Sequence, residues 1–211
     1  MKITKFGHSC LLIVEKDLRI LLDPGMYSTG QNDLKNIDVV LITHEHPDHC
    51  DLESLRHIVR NNPNLKVITN RSVGAILEKE GITCVFVEDG EHFTAKGVLI
   101  EGIGKDHAIM HSSIPPIQNV GYFIANRLFY PGDALTNPRK PVEILALPVT
   151  APWSKLPEMI DYAISIKPKT CFPMHDGIMK NPGSAYVIPP KVLEPQGITF
   201  LVPEIGKEYE L

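Results

Sequence analysis

The run Thr43-His44-Glu45-His46-Pro47-Asp48-His49 sets the strongest constraint on the fold, because it gathers three imidazoles and a carboxylate into a few consecutive positions. Packing does not call for such a run, since polar groups are costly to bury without partners. Divalent cations of the zinc type do, because imidazole and carboxylate are their preferred donors. The residues just before it, Ile37-Asp38-Val39-Val40-Leu41-Ile42-Thr43, are apolar and β-branched, the pattern of a buried parallel strand. The candidate ligands His44, His46, Asp48 and His49 therefore follow the carboxyl end of a strand, where α/β sheets usually carry their ligand sites. If the segment stays extended, its alternation sends positions 44, 46 and 48 to one side and His49 to the other. One peptide can then serve two adjacent cations. Asp51 is placed to cap a helix over 52–61.

Alternating elements follow this run: a strand Val67–Thr69, a helix Val73–Lys79 ended near Gly81, and a strand Thr83–Val87. Before it, Lys2–Phe6, Cys10–Val14 and Arg19–Leu22 read as short strands, the last running into the turn Asp23-Pro24-Gly25. The second half is strand-rich again, at Phe93-Thr94, Val98–Ile103, Gly121–Ala125, Leu128–Tyr130, Ile144–Leu147 and Thr170–Met174, with a helix over Leu156–Ile166. Prolines 182, 189, 190, 195 and 203 argue against a long terminal helix, and strands Thr199–Val202 and Glu208–Leu211 are expected to close the chain. No linker or low-complexity stretch divides it, so residues 1–211 are expected to form a single domain with helices outside two sheets.

Composition narrows the function classes. A net charge of −4 argues against a broad nucleic-acid surface. No stretch approaches the ~18 apolar residues of a membrane span, and the opening segment, broken by Gly7 and His8, does not read as a signal peptide. Cys10, Cys50, Cys84 and Cys171 are widely spaced, which suggests free thiols and a cytoplasmic location. Oligomeric state is not readable.

Three further residues end apolar runs. His107 follows Val98–Ile103, Asp133 closes Phe129-Tyr130-Pro131-Gly132-Asp133, and His175 ends Thr170-Cys171-Phe172-Pro173-Met174-His175. Together with His-x-His-x-Asp-His, this order resembles the metallo-β-lactamase superfamily from Gly7 to His175. The opening Phe6-Gly7-His8-Ser9-Cys10 is similar to its group of small metal-dependent hydrolases, which includes ascorbate-6-phosphate lactonase and N-acylphosphatidylethanolamine phospholipase D. The resemblance implies an α/β (α+β) fold, a four-layer αββα sandwich of two mixed sheets with helices on the outer faces. It also implies two divalent metal ions, zinc before manganese or iron. His44, His46 and His107 would hold the first, Asp48, His49 and His175 the second, and Asp133 would bridge them. His107 is preferred to His111, four residues on, because it lies nearer the strand; His111 is left to the pocket. Asp23 is read either as a buried acid orienting a ligand histidine or as a plain turn acid. His8 is read either as a substrate contact or proton donor, or as a hydrogen-bonded turn residue. Trp153 is read as a core anchor or a pocket wall.

Two metals roughly 3.5–4 Å apart can hold a hydroxide between them. The expected activity is therefore hydrolysis of an ester, lactone, amide or phosphodiester in a small molecule, an anionic one included, with Asp48 and His8 as the catalytic residues beside the metals. Flavodiiron-type oxidoreductases of this superfamily would have Glu in place of His46, and its RNA-processing nucleases would bring a large insert or a basic arm. The alternative from a different class is an iron-dependent redox enzyme or a non-catalytic metal-binding protein on the same scaffold.

Overall fold

Alternation along the strands sets the layering of the computed structural model, which describes residues 1–211. Strands β1 (Lys2–Lys5), β2 (Leu11–Glu15), β3 (Leu18–Leu22), β4 (Val39–Leu41), β5 (Lys66–Thr69) and β6 (Cys84–Phe86) lie side by side in that order in one sheet. Strands β7 (His92–Ala95), β8 (Val98–Ile103), β9 (Gly121–Ile124), β10 (Leu128–Tyr130), β11 (Ile144–Pro148), β12 (Thr170–Met174) and β13 (Thr199–Phe200) build the second. The last strand, β14 (Glu208–Glu210), returns to the first sheet and pairs antiparallel with β1. Both sheets are mixed. β3 to β6 run parallel, as do β10 to β13, and the other pairings are antiparallel.

Leu11, Ile13, Ile20, Leu22, Val39 and Leu41 point from the first sheet into the space between the sheets. There they meet Tyr122, Ile124, Leu128, Tyr130, Phe172 and Met174 from the second. The intervening residues point outward. Leu12, Leu21, Val40 and Ile42 form a second core with α1 (Leu52–Asn61) and α2 (Arg71–Lys79). Phe123, Phe129, Leu145, Leu147 and Cys171 form a third with α3 (Leu156–Ile166) and α4 (Ser184–Leu193). Strands buried on both faces have to be apolar at every position, and each such side chain contributes about 1.5–3 kcal/mol when fully buried. The result is the expected αββα sandwich.

Local chemistry explains the helix starts. Asp51 accepts a hydrogen bond from the Ser54 amide and Asn70 from the Val73 amide. The proline-punctuated tail holds no long helix, but the ten-residue α4 forms despite carrying Pro189 and Pro190 in its interior. Its buried residues Ala185, Pro189 and Leu193 recur every fourth position against the second sheet. Tertiary burial of that stripe outweighs the backbone bonds the prolines remove.

Candidate metal centre

Strand β4 ends at Leu41, and the chain does not stay extended through the histidine run. The amides of His49 and Cys50 both donate to the His46 carbonyl, at 2.9 and 2.8 Å, closing a tight turn. Asp48 is therefore carried over to His49, and His44 stays with His46. The alternation that would have grouped 44, 46 and 48 is broken by this turn. The turn packs on Asp23-Pro24-Gly25 at the end of β3, with Met26 N–H donating to Pro47 O and Asp51 N–H to Pro24 O. The approach is so close that a methyl group on Gly25 would fall 1.7 Å from the Asp48 carbonyl oxygen.

The second sheet supplies the remaining groups. His107 follows β8, Asp133 follows β10 through Gly132, and His175 follows β12 in a left-handed conformation with φ 62°. Two sets of donor atoms form, each with all its atoms within 4.8 Å of one another: His44, His46, His107 and Asp133, and His8, Asp48, His49 and His175. Asp133 lies between them. Its Oδ2 is 3.4 Å from His107 Nε2 and 3.0 Å from His175 Nε2, and its Oδ1 is 3.1 Å from His49 Nε2. His44 Nε2 and His46 Nδ1 are 3.1 Å apart.

Outer hydrogen bonds aim these rings. Asp23, fully buried, accepts from the Thr43 amide (2.8 Å), the Thr43 hydroxyl (2.7 Å) and His49 Nδ1 (2.7 Å). With its proton committed to Asp23, the Thr43 hydroxyl accepts from His44 Nδ1 at 3.0 Å. His107 Nδ1 donates to Ala108 O at 2.6 Å, and His175 Nδ1 donates to Thr150 O at 2.5 Å. With Nδ1 donating on His44, His107 and His175, Nε2 of those three rings is left as an inward-facing lone pair, whereas the His49 Nε2 must first give up a proton before it can bind a cation. His8, fully buried, accepts the Gly177 amide on Nδ1 (3.0 Å), so its Nε2 carries the proton and donates to Asp48 Oδ2 (3.1 Å).

Charge follows from this packing. Burial pushes the His44 ring well below the ordinary histidine range, and burial also lowers His46. Burial opposes the charged form of His49, but the Asp133 and Asp23 carboxylates outweigh it and hold that ring well above the usual range. Burial would raise Asp48, yet the His8 hydrogen bond and the charges of His49 and His175 bring it down to about 2. Asp133 is likewise held well below the carboxylate range, burial being outweighed by His49, His107 and His175. His49 Nε2, His107 Nε2, His175 Nε2 and Asp133 Oδ1 are buried close to one another, yet none makes a well-aligned hydrogen bond. Such converging orphans are costly unless something binds them. Nitrogen and carboxylate donors in this arrangement fit two divalent cations.

The sets open onto a cleft of about 270 Å³ lined by His46, Pro47, Asp48, His107, Met110, Asp133, Pro152, Trp153 and His175. Other expectations fall outside it. His111 is exposed, its ring hydrogen-bonded to Ser113, and it does not line the cleft. His8 lies behind Asp48 and does not line it either. Trp153 proves to be both wall and anchor, since it packs on the α3 and α4 core and its indole N–H donates to Asp133 Oδ2 at 3.0 Å. Sequence reasoning missed Thr43 and also Asn119, whose side chain accepts the Asp133 amide and donates to Pro131 O. It missed the buried Lys5–Asp176 ion pair, 2.6 Å, with Tyr186 O–H also donating to Asp176. Only the placement of Asn119, just before a strand, could have pointed to such a role.

The profile of the beta-lactamase superfamily domain matches residues 2–175. The Mycobacterium tuberculosis protein Rv0786c is 35% identical over 85% of this chain and 85% of its own length. A UPF0173 metal-dependent hydrolase of Thermoplasma acidophilum is 24% identical over 100% of this chain and 99% of its own. Among solved structures, a metallo hydrolase from the archaeon Ignicoccus hospitalis superposes with a TM-score of 0.78 at 21% identity, covering 100% of this chain and 98% of that one. No helix of the chain is long and apolar enough to cross a membrane.

Proposed function

Because this chain belongs to the metallo-β-lactamase superfamily, we propose that it is a metal-dependent hydrolase acting on a small molecule at a dinuclear centre. The observation that carries this reading is the convergence of buried, unpartnered Nε2 and Oδ1 atoms from both sheets on one cleft. In this reading His44, His46 and His107 hold one divalent cation, zinc first, and Asp48, His49 and His175 hold the other. Asp133, with an oxygen near each set, is shared. The cations would make a water molecule nucleophilic near neutral pH and stabilise the negative charge of the transition state.

The side chains divide the remaining work. Asp23 orients His49 directly and His44 through Thr43. Asp48, ionised down to about 2, is a weak base near neutral pH, so it serves as a ligand rather than as the proton acceptor expected from sequence. His8 holds Asp48 in place through its Nε2 proton rather than meeting substrate. Trp153 and Asn119 fix Asp133. The scissile bond is that of an ester, lactone, amide or phosphodiester.

Elemental analysis of the purified protein should find close to two equivalents of zinc or manganese per chain. Asp133→Ala should lose metal and hydrolysis together. Full metal occupancy with full activity in that variant would sink the assignment. Two equivalents of iron with oxygen consumption would favour the redox alternative.

A further inference from the structure

Four of the nine residues lining the cleft are apolar or proline side chains, Pro47, Met110, Pro152 and Trp153, and the other five are the candidate ligands His46, Asp48, His107, Asp133 and His175. No Lys or Arg lines it. The nearby cations are already committed or turned away. Lys5 is buried against Asp176, and Lys155 and Lys180 are exposed on the flanking loops without joining the wall. Met110, 43% exposed, leaves the apolar side of the cleft open to solvent.

A substrate phosphate or carboxylate away from the scissile bond would meet apolar walls and no counter-charge, and would lose its hydration without compensation. An alkyl or aryl group would instead be buried against Met110 and Trp153. The volume lies just below the ~300–1,000 Å³ usual for small-molecule sites, room for one short apolar group. Resting on the hydrolase reading, we infer that the substrate class is uncharged carboxylic esters or lactones with an aliphatic or aryl acyl part, rather than phosphodiesters or phosphorylated sugars. Water adds to the acyl carbon and the acyl C–O bond breaks. The products are a carboxylate and an alcohol, with one proton released.

The test uses metal-loaded full-length protein and two independent readouts. The first is kcat/KM for p-nitrophenyl acetate, butyrate and hexanoate beside bis(p-nitrophenyl) phosphate. The second is binding of acetyl, butyryl and hexanoyl hydroxamic acids, neutral metal chelators, followed by the fluorescence of Trp153, the one tryptophan in the chain. Each methylene fully buried is worth roughly fourfold. Hexanoyl carries four methylenes more than acetyl, and burial of about two of them in this short cleft should raise both kcat/KM and hydroxamate affinity by about tenfold or more. The phosphodiester should be slower than hexanoate by about a hundredfold or more. Met110→Asp should flatten both length profiles while the metal content stays at two equivalents.

Length-independent ester hydrolysis, or faster turnover of the phosphodiester, overturns this substrate class and leaves the hydrolase reading in place. Length-dependent hydroxamate binding with no turnover of any of these substrates supports the apolar preference of the cleft and counts against hydrolysis. Length-independent hydroxamate binding overturns the inference whatever the turnover.

Discussion

The carboxylate of Asp23 takes three hydrogen bonds, two from Thr43 and one from His49, and through them sets the rings of His44 and His49 in different donor sets. Removing it leaves buried donors on both sides of the centre without an acceptor. Outer-shell partners of metal-binding histidines are typically worth 10- to 100-fold in affinity. Asp23→Ala should therefore weaken metal binding by about that factor, measured by competition with a chromophoric chelator. A pH dependence follows from His49. Its ring is held well above the ordinary histidine range, so near neutral pH the metal-free protein carries a proton there that a cation must displace. Affinity at the second set should fall as pH is lowered below that raised value, by about tenfold per unit. Calorimetry in buffers of different ionisation enthalpy should find about one proton released on binding. Metal affinity in Asp23→Ala equal to the native value would show that Asp23 is a plain turn acid.

At the level of elements, the strands nearest the centre were the most legible. Val98–Ile103, Leu128–Tyr130 and Thr170–Met174 form over the expected residues, as does the helix Leu156–Ile166. The reason is physical: an element packed on the core shows a short apolar pattern at strand or helix spacing, and turn residues mark its ends. What escaped the sequence were contacts made across long separations. Nothing local shows that the turn at 46–50 docks on Asp23-Pro24-Gly25, that Asn119 accepts the Asp133 amide, or that Lys5 is buried against Asp176. The buried stripe Ala185-Pro189-Leu193 has helical spacing, but the prolines within and beside it concealed the helix. The docked turn gives an element-scale prediction. Gly25→Ala would press a methyl group into the Asp48 backbone and force the two loops apart. Overpacking of this kind costs about 1–3 kcal/mol. Denaturant unfolding should register that loss, and the second equivalent of metal should weaken more than the first, because Asp48 and His49 ride on the displaced loop.

Over the whole molecule, the four cysteines report how tightly the layers close. All are free thiols. Burial pushes Cys50 and Cys171 up to about 12 and Cys10 well above its ordinary value, while Cys84, only partly buried, is raised by burial and by Glu78. A disulfide reagent at pH 8 should therefore label Cys84 first in the native protein. Cys10, Cys50 and Cys171 should react only as the sandwich opens. Equal rates at all four would contradict the burial that defines the two outer cores, where the helices cover the sheets. Saturating metal should slow the three buried thiols, by up to about a hundredfold at a ligand concentration of 100 Kd, and leave Cys84 unchanged.

His44 and His46 leave the first sheet, whereas His107 and Asp133 leave the second, so one cation on these four residues would fasten the two sheets together at their edge. The centre then works as a clasp as well as a reagent. A chain stripped of metal would keep every strand and helix yet part more easily along the seam between its sheets. Proteases would reach that seam sooner, and metal supply would set the lifetime of each copy along with its turnover.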